Sequence, residues 1–168
     1  MTARRTITLS LALLSSTLIP LIAPAGPARA TPLWGEATSV LEPEEFDCLA
    51  RTLYFEAGNQ GRPGMEAVAA VVLNRVRDPA FPATICGVVR QGGERPPCQF
   101  EWWCDGRSDA PSEPQPWRLA QQVAKEALTD PVDDPTGQAL YFHANYITSS
   151  FHTGLERTIQ IGAHIFYR

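Results

Sequence analysis

One segment does most to limit the folds open to this chain. From about Pro63 to Arg77 it reads as a helix that is apolar on nearly every side. Met65, Val68, Ala69, Val72 and Val76 line one face at helical spacing, and Ala67, Ala70, Val71 and Leu73 cover most of the rest. Such a helix has to be covered all round, so it belongs at the centre of a domain. Asp78-Pro79 ends it, because the residue before proline is pushed out of the helical region.

The other segments supply the cover. Phe46, Leu49, Ala50, Leu53, Tyr54 and Ala57 recur at helical spacing, and predict an amphipathic helix from Glu44 to Gly58. Pro43, Glu44 and Glu45 suit its first turn, and Gly58 suits its end. A third helix is expected from Pro116 to Leu128, with Trp117, Ala120, Ala124, Ala127 and Leu128 inward. Between the second and third, Ala80 to Pro116 is proline-rich and aperiodic, and reads as a long ordered loop. After the turn cluster Asp133–Gly137, Gln138 to Asn145 predicts a short strand. Ile159, Ile161, Ala163, Ile165 and Tyr167 alternate along a second one. The expected fold class is α+β, a mainly helical single domain with a small β element.

The N-terminus carries an export pattern. Arg4 and Arg5 precede an uncharged run from Ile7 to Ile22, then Pro20, Pro24 and Pro27, and Ala28-Arg29-Ala30 as a small-x-small cleavage site. The run falls short of the ~20 residues a membrane span needs. The expected organisation is a signal peptide over 1–30, a flexible lead-in over 31–43 and a catalytic domain over 44–168. Loss of the leader removes three arginines and no acid, moving the formal net charge from −4 to −7. A chain this acidic lacks the basic footprint of a nucleic-acid binder. Its four cysteines, Cys48, Cys86, Cys98 and Cys104, all follow the leader, which suggests two disulfides. Three pairings are open. Pairing Cys98 with Cys104 would close a small local loop, and Cys48 with Cys86 would then tie the first helix to the loop after the second. Zinc on these thiols is disfavoured by the absence of a C-x-x-C pair.

Glu56 is the sharpest candidate for chemistry. It sits in the last turn of the first helix, at the margin of the apolar stripe, beside Leu53, Tyr54 and Phe55. The negative end of the helix dipole and apolar neighbours both favour its neutral form. A carboxylic acid kept protonated near neutral pH suits glycosidic-bond cleavage, where the leaving oxygen must receive a proton. The plainer alternative is an exposed glutamate at a helix end.

Five blocks in order bear on that choice. They are Leu53-Tyr54-Phe55-Glu56-Ala57, the run Gly64 to Val76, Cys98-Gln99-Phe100 with Cys104-Asp105-Gly106, Ala139 to Ala144, and Ile161 to Tyr167. Together they resemble the cell wall hydrolases of the spore-cortex-lytic type. The resemblance implies a lysozyme-like fold acting on peptidoglycan glycan strands. It also implies a lytic-transglycosylase mechanism in which one glutamate, here Glu56, is acid and then base, with no cofactor and no metal. Gln99, Phe100, Tyr141, His143, His164 and Asn74 become candidates for substrate binding. The expected partner is peptidoglycan, with no nucleic acid and no stable membrane anchor once the leader is gone. The chain is expected to act as a monomer, exported to the periplasm, cell wall or medium.

This sequence departs from the family pattern at three places. Gln60 stands where the family usually has a second glutamate, and Glu101 stands where a small hydroxyl residue is common. The stretch Tyr146 to Phe151 replaces a segment that often holds tryptophan. Glu66, Glu101 and Asp105 are the candidates if a second carboxylate takes part. Two other functions are weighed: a zinc-dependent amidase on the stem peptide, built on His143, His152 and His164, and a wall-binding protein without catalysis.

Overall fold

A computed structural model describes residues 42–129, 133–148, 150 and 152–168. The expected leader and most of the lead-in lie outside them, as does Phe151. The elements are α1 (Pro43–Ala57), α2 (Gly61–Arg77), α3 (Ile85–Val89), α4 (Glu101–Cys104), α5 (Pro114–Thr129), β1 (Tyr141–Ala144), β2 (Arg157–Ile161) and β3 (His164–Tyr167). The fold is α+β.

α2 is central, as its composition requires. One side packs into the main core through Met65, Val68, Ala69 and Val72, against Leu49 and Leu53 of α1, Val88 and Val89 of α3, and Ala120, Val123 and Ala124 of α5. The other side meets the sheet, where Ala67 and Val71 pack with Ala139 and Phe166. These residues are almost completely buried. Burial of that kind contributes about 25 cal/mol per Å² of apolar surface. α1 starts with Pro43 in its first turn and Glu44 and Glu45 beside it. The Glu45 carboxylate also accepts from the Ile85 N–H at 2.6 Å, holding the start of α3 against α1. Cys48–Cys86 fastens the same two helices covalently.

Three expectations need correction. Residues 80–116 are ordered, as expected, but they are not loop throughout: they contain α3 and α4, each too short for a periodicity to emerge. The Thr84 hydroxyl accepts from the Gly87 N–H at 3.0 Å and starts α3, and Cys98–Cys104 brackets α4. α5 begins at Pro114, two residues early, because the Tyr54 hydroxyl accepts from the Ser112 and Glu113 N–H groups at 3.1 and 3.0 Å and organises its approach. The alternating run Ile159–Tyr167 is a hairpin, not one strand. Gly162 takes φ +57°, a region that favours glycine, and the chain reverses over Gly162-Ala163 to pair Ile161 with His164. The sheet is antiparallel with order β1-β3-β2.

Candidate active site

The last turn of α1 presents Glu56 sideways from a helix whose other face is locked in the core by Leu49, Leu53 and Ala57. Phe55 stacks on Trp102 with ring centroids 5.1 Å apart, and Tyr54 meets Phe55 edge-on at 4.9 Å. Glu56 itself is left partly exposed. Among the described residues, none forms a hydrogen bond or ion pair with its carboxylate. Its pKa is raised from 4.5 to about 7: burial contributes most, the negative charge of Glu101 adds to it, and the Arg75 cation opposes both. The last turn of α1 has no basic residue, so its exposed carbonyl dipoles also go unneutralised.

Glu56 opens on a groove of about 850 Å³. One wall is the α1–α2 turn, from Gly58 to Gln60. A second is the disulfide-closed segment with Gln99, Phe100, Glu101 and Trp102, continued by Asp105 and Arg107. The sheet supplies Phe142, His143 and Ala144, with Tyr146 and Ile147 beyond them, and the hairpin turn supplies Ala163 and His164. The helical and sheet sides are fastened at Gln60, whose side-chain oxygen accepts from the Ala163 N–H at 2.9 Å. A Cβ on Gly162 would lie 2.6 Å from that oxygen, so only glycine leaves room for the contact.

The groove therefore holds three kinds of group. Glu56 is an acid that is still half protonated near pH 7. His164 is a neutral imidazole, its pKa lowered by burial and then by His143, and its buried Nδ1 has no protein partner among the described residues. Exposed Tyr146 and Ile147 offer apolar surface at the rim. His143 is already engaged. Its Nδ1 is 2.9 Å from the Ala144 carbonyl, which can only accept, so in the neutral ring Nε2 accepts from the Tyr167 hydroxyl at 3.0 Å.

Of the sequence candidates, Glu56, Gln99, Phe100, His143 and His164 line one groove. Asn74 does not. Its amide donates to Asp134 at 2.9 Å and to the Ala139 carbonyl at 3.1 Å, on a separate surface between α2 and α5. Tyr141 is also absent from the groove lining, because its ring packs over the guanidinium of Arg75, 5.7 Å from ring centre to Cζ. Glu101 and Asp105 line the groove, whereas Glu66 pairs with Arg62 at 3.3 Å away from it. The cysteines are joined Cys48–Cys86 and Cys98–Cys104, so none is a free thiol ligand. Arg75 went unnoticed in the sequence. The available signal was its place between Leu73 and Val76 in the apolar run of α2, whose other arginines, Arg62 and Arg77, lie at the helix ends.

A family model for Cell Wall Hydrolase matches residues 59–167. The spore cortex-lytic enzyme of Bacillus subtilis (strain 168) is 34% identical over 121 residues, which cover 70% of this chain and 35% of that protein. The spore cortex-lytic enzyme of Oceanobacillus iheyensis is 34% identical over 125 residues, covering 73% and 41%. The chain thus spans well under half the length of these curated relatives. Among solved structures, the catalytic domain of the Bacillus cereus SleB protein superposes with a TM-score of 0.62 at 29% identity, covering 76% of this chain and 91% of that one. The catalytic domain of the germination-specific lytic transglycosylase SleB from Bacillus anthracis gives 0.62 at 30%, covering 76% and 96%.

Proposed function

The chain belongs to the cell wall hydrolase family, and from that premise we propose that it cleaves peptidoglycan glycan strands between N-acetylmuramic acid and N-acetylglucosamine as a lytic transglycosylase. The observation that carries this reading is Glu56, a carboxyl held neutral up to about pH 7 at the edge of a long open groove. Likeness to the catalytic domain of a lytic transglycosylase over nearly all of that domain's length supports it.

Glu56 protonates the glycosidic oxygen, and the bond to C1 of the muramic residue breaks as positive charge develops on that sugar. Glu56 is then a carboxylate. It takes the proton of the 6-hydroxyl as that oxygen closes on C1, giving a 1,6-anhydro end and returning Glu56 to its acid form. The proton balance needs no other group. Gln99 and His164 supply polar contacts along the groove, His143 lines it with both ring nitrogens engaged by Ala144 and Tyr167, and Phe100, buried behind them, supports the wall. His164, neutral and with an unpartnered Nδ1, can donate to or accept from a sugar hydroxyl or an acetamido group.

The leader-like N-terminus and the two disulfides support export to an oxidising compartment where this substrate lies. No helix among the described residues is long and apolar enough to cross a membrane. The test is digestion of purified peptidoglycan by residues 31–168 and by its Glu56→Gln variant, with mass analysis of the muropeptides. Anhydro ends from the parent alone are expected. Reducing muramic ends would replace transglycosylation by hydrolysis, and free stem peptides released by both proteins would overturn the proposal.

A further inference from the structure

Arg75 has no place in the steps above, yet it is the most conspicuous charge in the molecule. It is 2% exposed, in the last turn of the helix that forms the centre of the core. Its Nε donates to the Leu140 carbonyl at 2.7 Å. With the Gln99 amide oxygen turned toward it, both terminal nitrogens donate to that oxygen at 3.2 Å. The rings of Phe81, Phe100 and Tyr141 surround the guanidinium, with their centroids 5.2, 5.4 and 5.7 Å from Cζ. All of these partners are neutral. Among the described residues, no ion pair joins Arg75 to a carboxylate.

A buried charge without a counter-ion is expensive to keep, and packing does not require it. What distinguishes the place is the groove on its open side, which Arg75 lines together with Glu56. We infer that Arg75 is a positioning residue of the reaction, a fixed counter-charge beneath the groove that makes the ionised form of Glu56 attainable once its proton has been given up. The inference rests on the reading of Glu56 as an acid that must cycle through its anion.

The surrounding charges leave this task to Arg75. Glu101 and Asp105 from α4 and the following loop, and Glu113 ahead of α5, are acids that oppose a carboxylate. His164 on β3 is kept neutral. His143 on β1 already uses both ring nitrogens, and Tyr54 on α1 accepts from the backbone before α5. Arg107, the other arginine along the groove, has its side chain 87% exposed, so water screens it. Arg75 is shielded, and its charge lowers the Glu56 pKa against the larger opposing effects of burial and Glu101. The coupling runs both ways: burial lowers the Arg75 pKa to about 10, and the charges of Tyr141 and Glu56 draw it back up.

The experiment is a pH titration of the Glu56 carboxyl by NMR, in disulfide-intact protein carrying ¹³C-labelled glutamate side chains, with Glu56→Gln used to assign the signal. In the parent protein Glu56 is expected to titrate near 7. In Arg75→Gln it should titrate higher by about one unit or more, and in Arg75→Lys it should stay close to the parent. In activity assays the high-pH limb should move up in Arg75→Gln while the maximal rate falls at least tenfold. A folded Arg75→Gln or Arg75→Met protein with an unmoved Glu56 titration would overturn the inference. So would a parent protein whose Glu56 stays neutral beyond about pH 9, the range of a buried glutamate with no counter-charge. That second measurement needs no Arg75 variant to fold. Because the titration needs no substrate, a shifted Glu56 in a protein that leaves peptidoglycan uncut would remove the proposed function and leave this inference standing.

Discussion

Replacing Glu56 with glutamine should make the protein more stable, and the size of the gain should depend on pH in one direction. The carboxyl has a pKa of about 7 in the folded chain and 4.5 as its ordinary value. Between those values the unfolded chain has released this proton while the native chain still holds it. Stability therefore falls as pH rises through the window, by about 1.4 kcal/mol per unit. Over the whole span the loss is about 3 kcal/mol, a large part of the 5–15 kcal/mol typical of a domain. Glutamine is nearly the same shape, cannot ionise and escapes the penalty. Urea unfolding of both proteins from pH 4 to pH 8, with disulfides intact, measures it. The two should be close in stability at pH 4, and the variant should be ahead by about 3 kcal/mol at pH 8. Parallel stability curves across that range would show that Glu56 is solvated like an ordinary surface carboxylate, and the electrostatic account of the site would fall with it.

Glu101→Ser removes the acid that raises the Glu56 pKa next most after burial; the high-pH limb of the rate profile should move to lower pH, by no more than about one unit. Gln60→Ala leaves the Ala163 N–H without its acceptor and should cost about 1–3 kcal/mol, read as a lower Tm; Gln60→Glu, which keeps an oxygen there, should lose less. Cys48–Cys86 closes a separation of 38 residues and Cys98–Cys104 one of 6, so alanine pairs should cost about 4 and about 2 kcal/mol on chain-entropy grounds. Activity should rank the other way, because the smaller loop carries Gln99, Phe100, Glu101 and Trp102 to the groove.

The sequence revealed this fold most clearly where one physical requirement dominated. α2 could only be central, because its apolar residues leave no side for water. α1 and Glu56 followed from a stripe with one polar residue at its margin. Legibility failed where structure depends on contacts distant in sequence. α3 and α4 have no period to detect; they are held by Glu45, Thr84 and a disulfide. The run Ile159–Tyr167 alternates in sequence, but a two-residue reversal inverts parity: Ile161 pairs with His164, so the core side passes from Ile161 to Phe166, and only Gly162 marked the break. Asn74 and Arg75 show the same limit on one helix. Adjacent residues point to different surfaces: Asn74 lies on the side between α2 and α5, while Arg75 lines the groove, with partners Gln99, Leu140 and Phe81 from three other segments.

Gln60 bears on whether the site is intact. A glutamine in place of the family's usual glutamate could be read as the remnant of a lost activity. Its geometry argues otherwise. The side-chain oxygen accepts from the Ala163 N–H, and the amide nitrogen donates to Asn59 at 2.8 Å. A carboxylate could perform the first task but has no proton for the second. The residue therefore serves a positional role that uses both ends of an amide, fastening the hairpin turn to the α1–α2 turn just beyond Glu56. A second carboxylate here would also have added negative charge near an acid whose pKa is already raised by burial and by Glu101. Glu101 already lines the same groove as Gln60 and is the acid that raises the Glu56 pKa after burial.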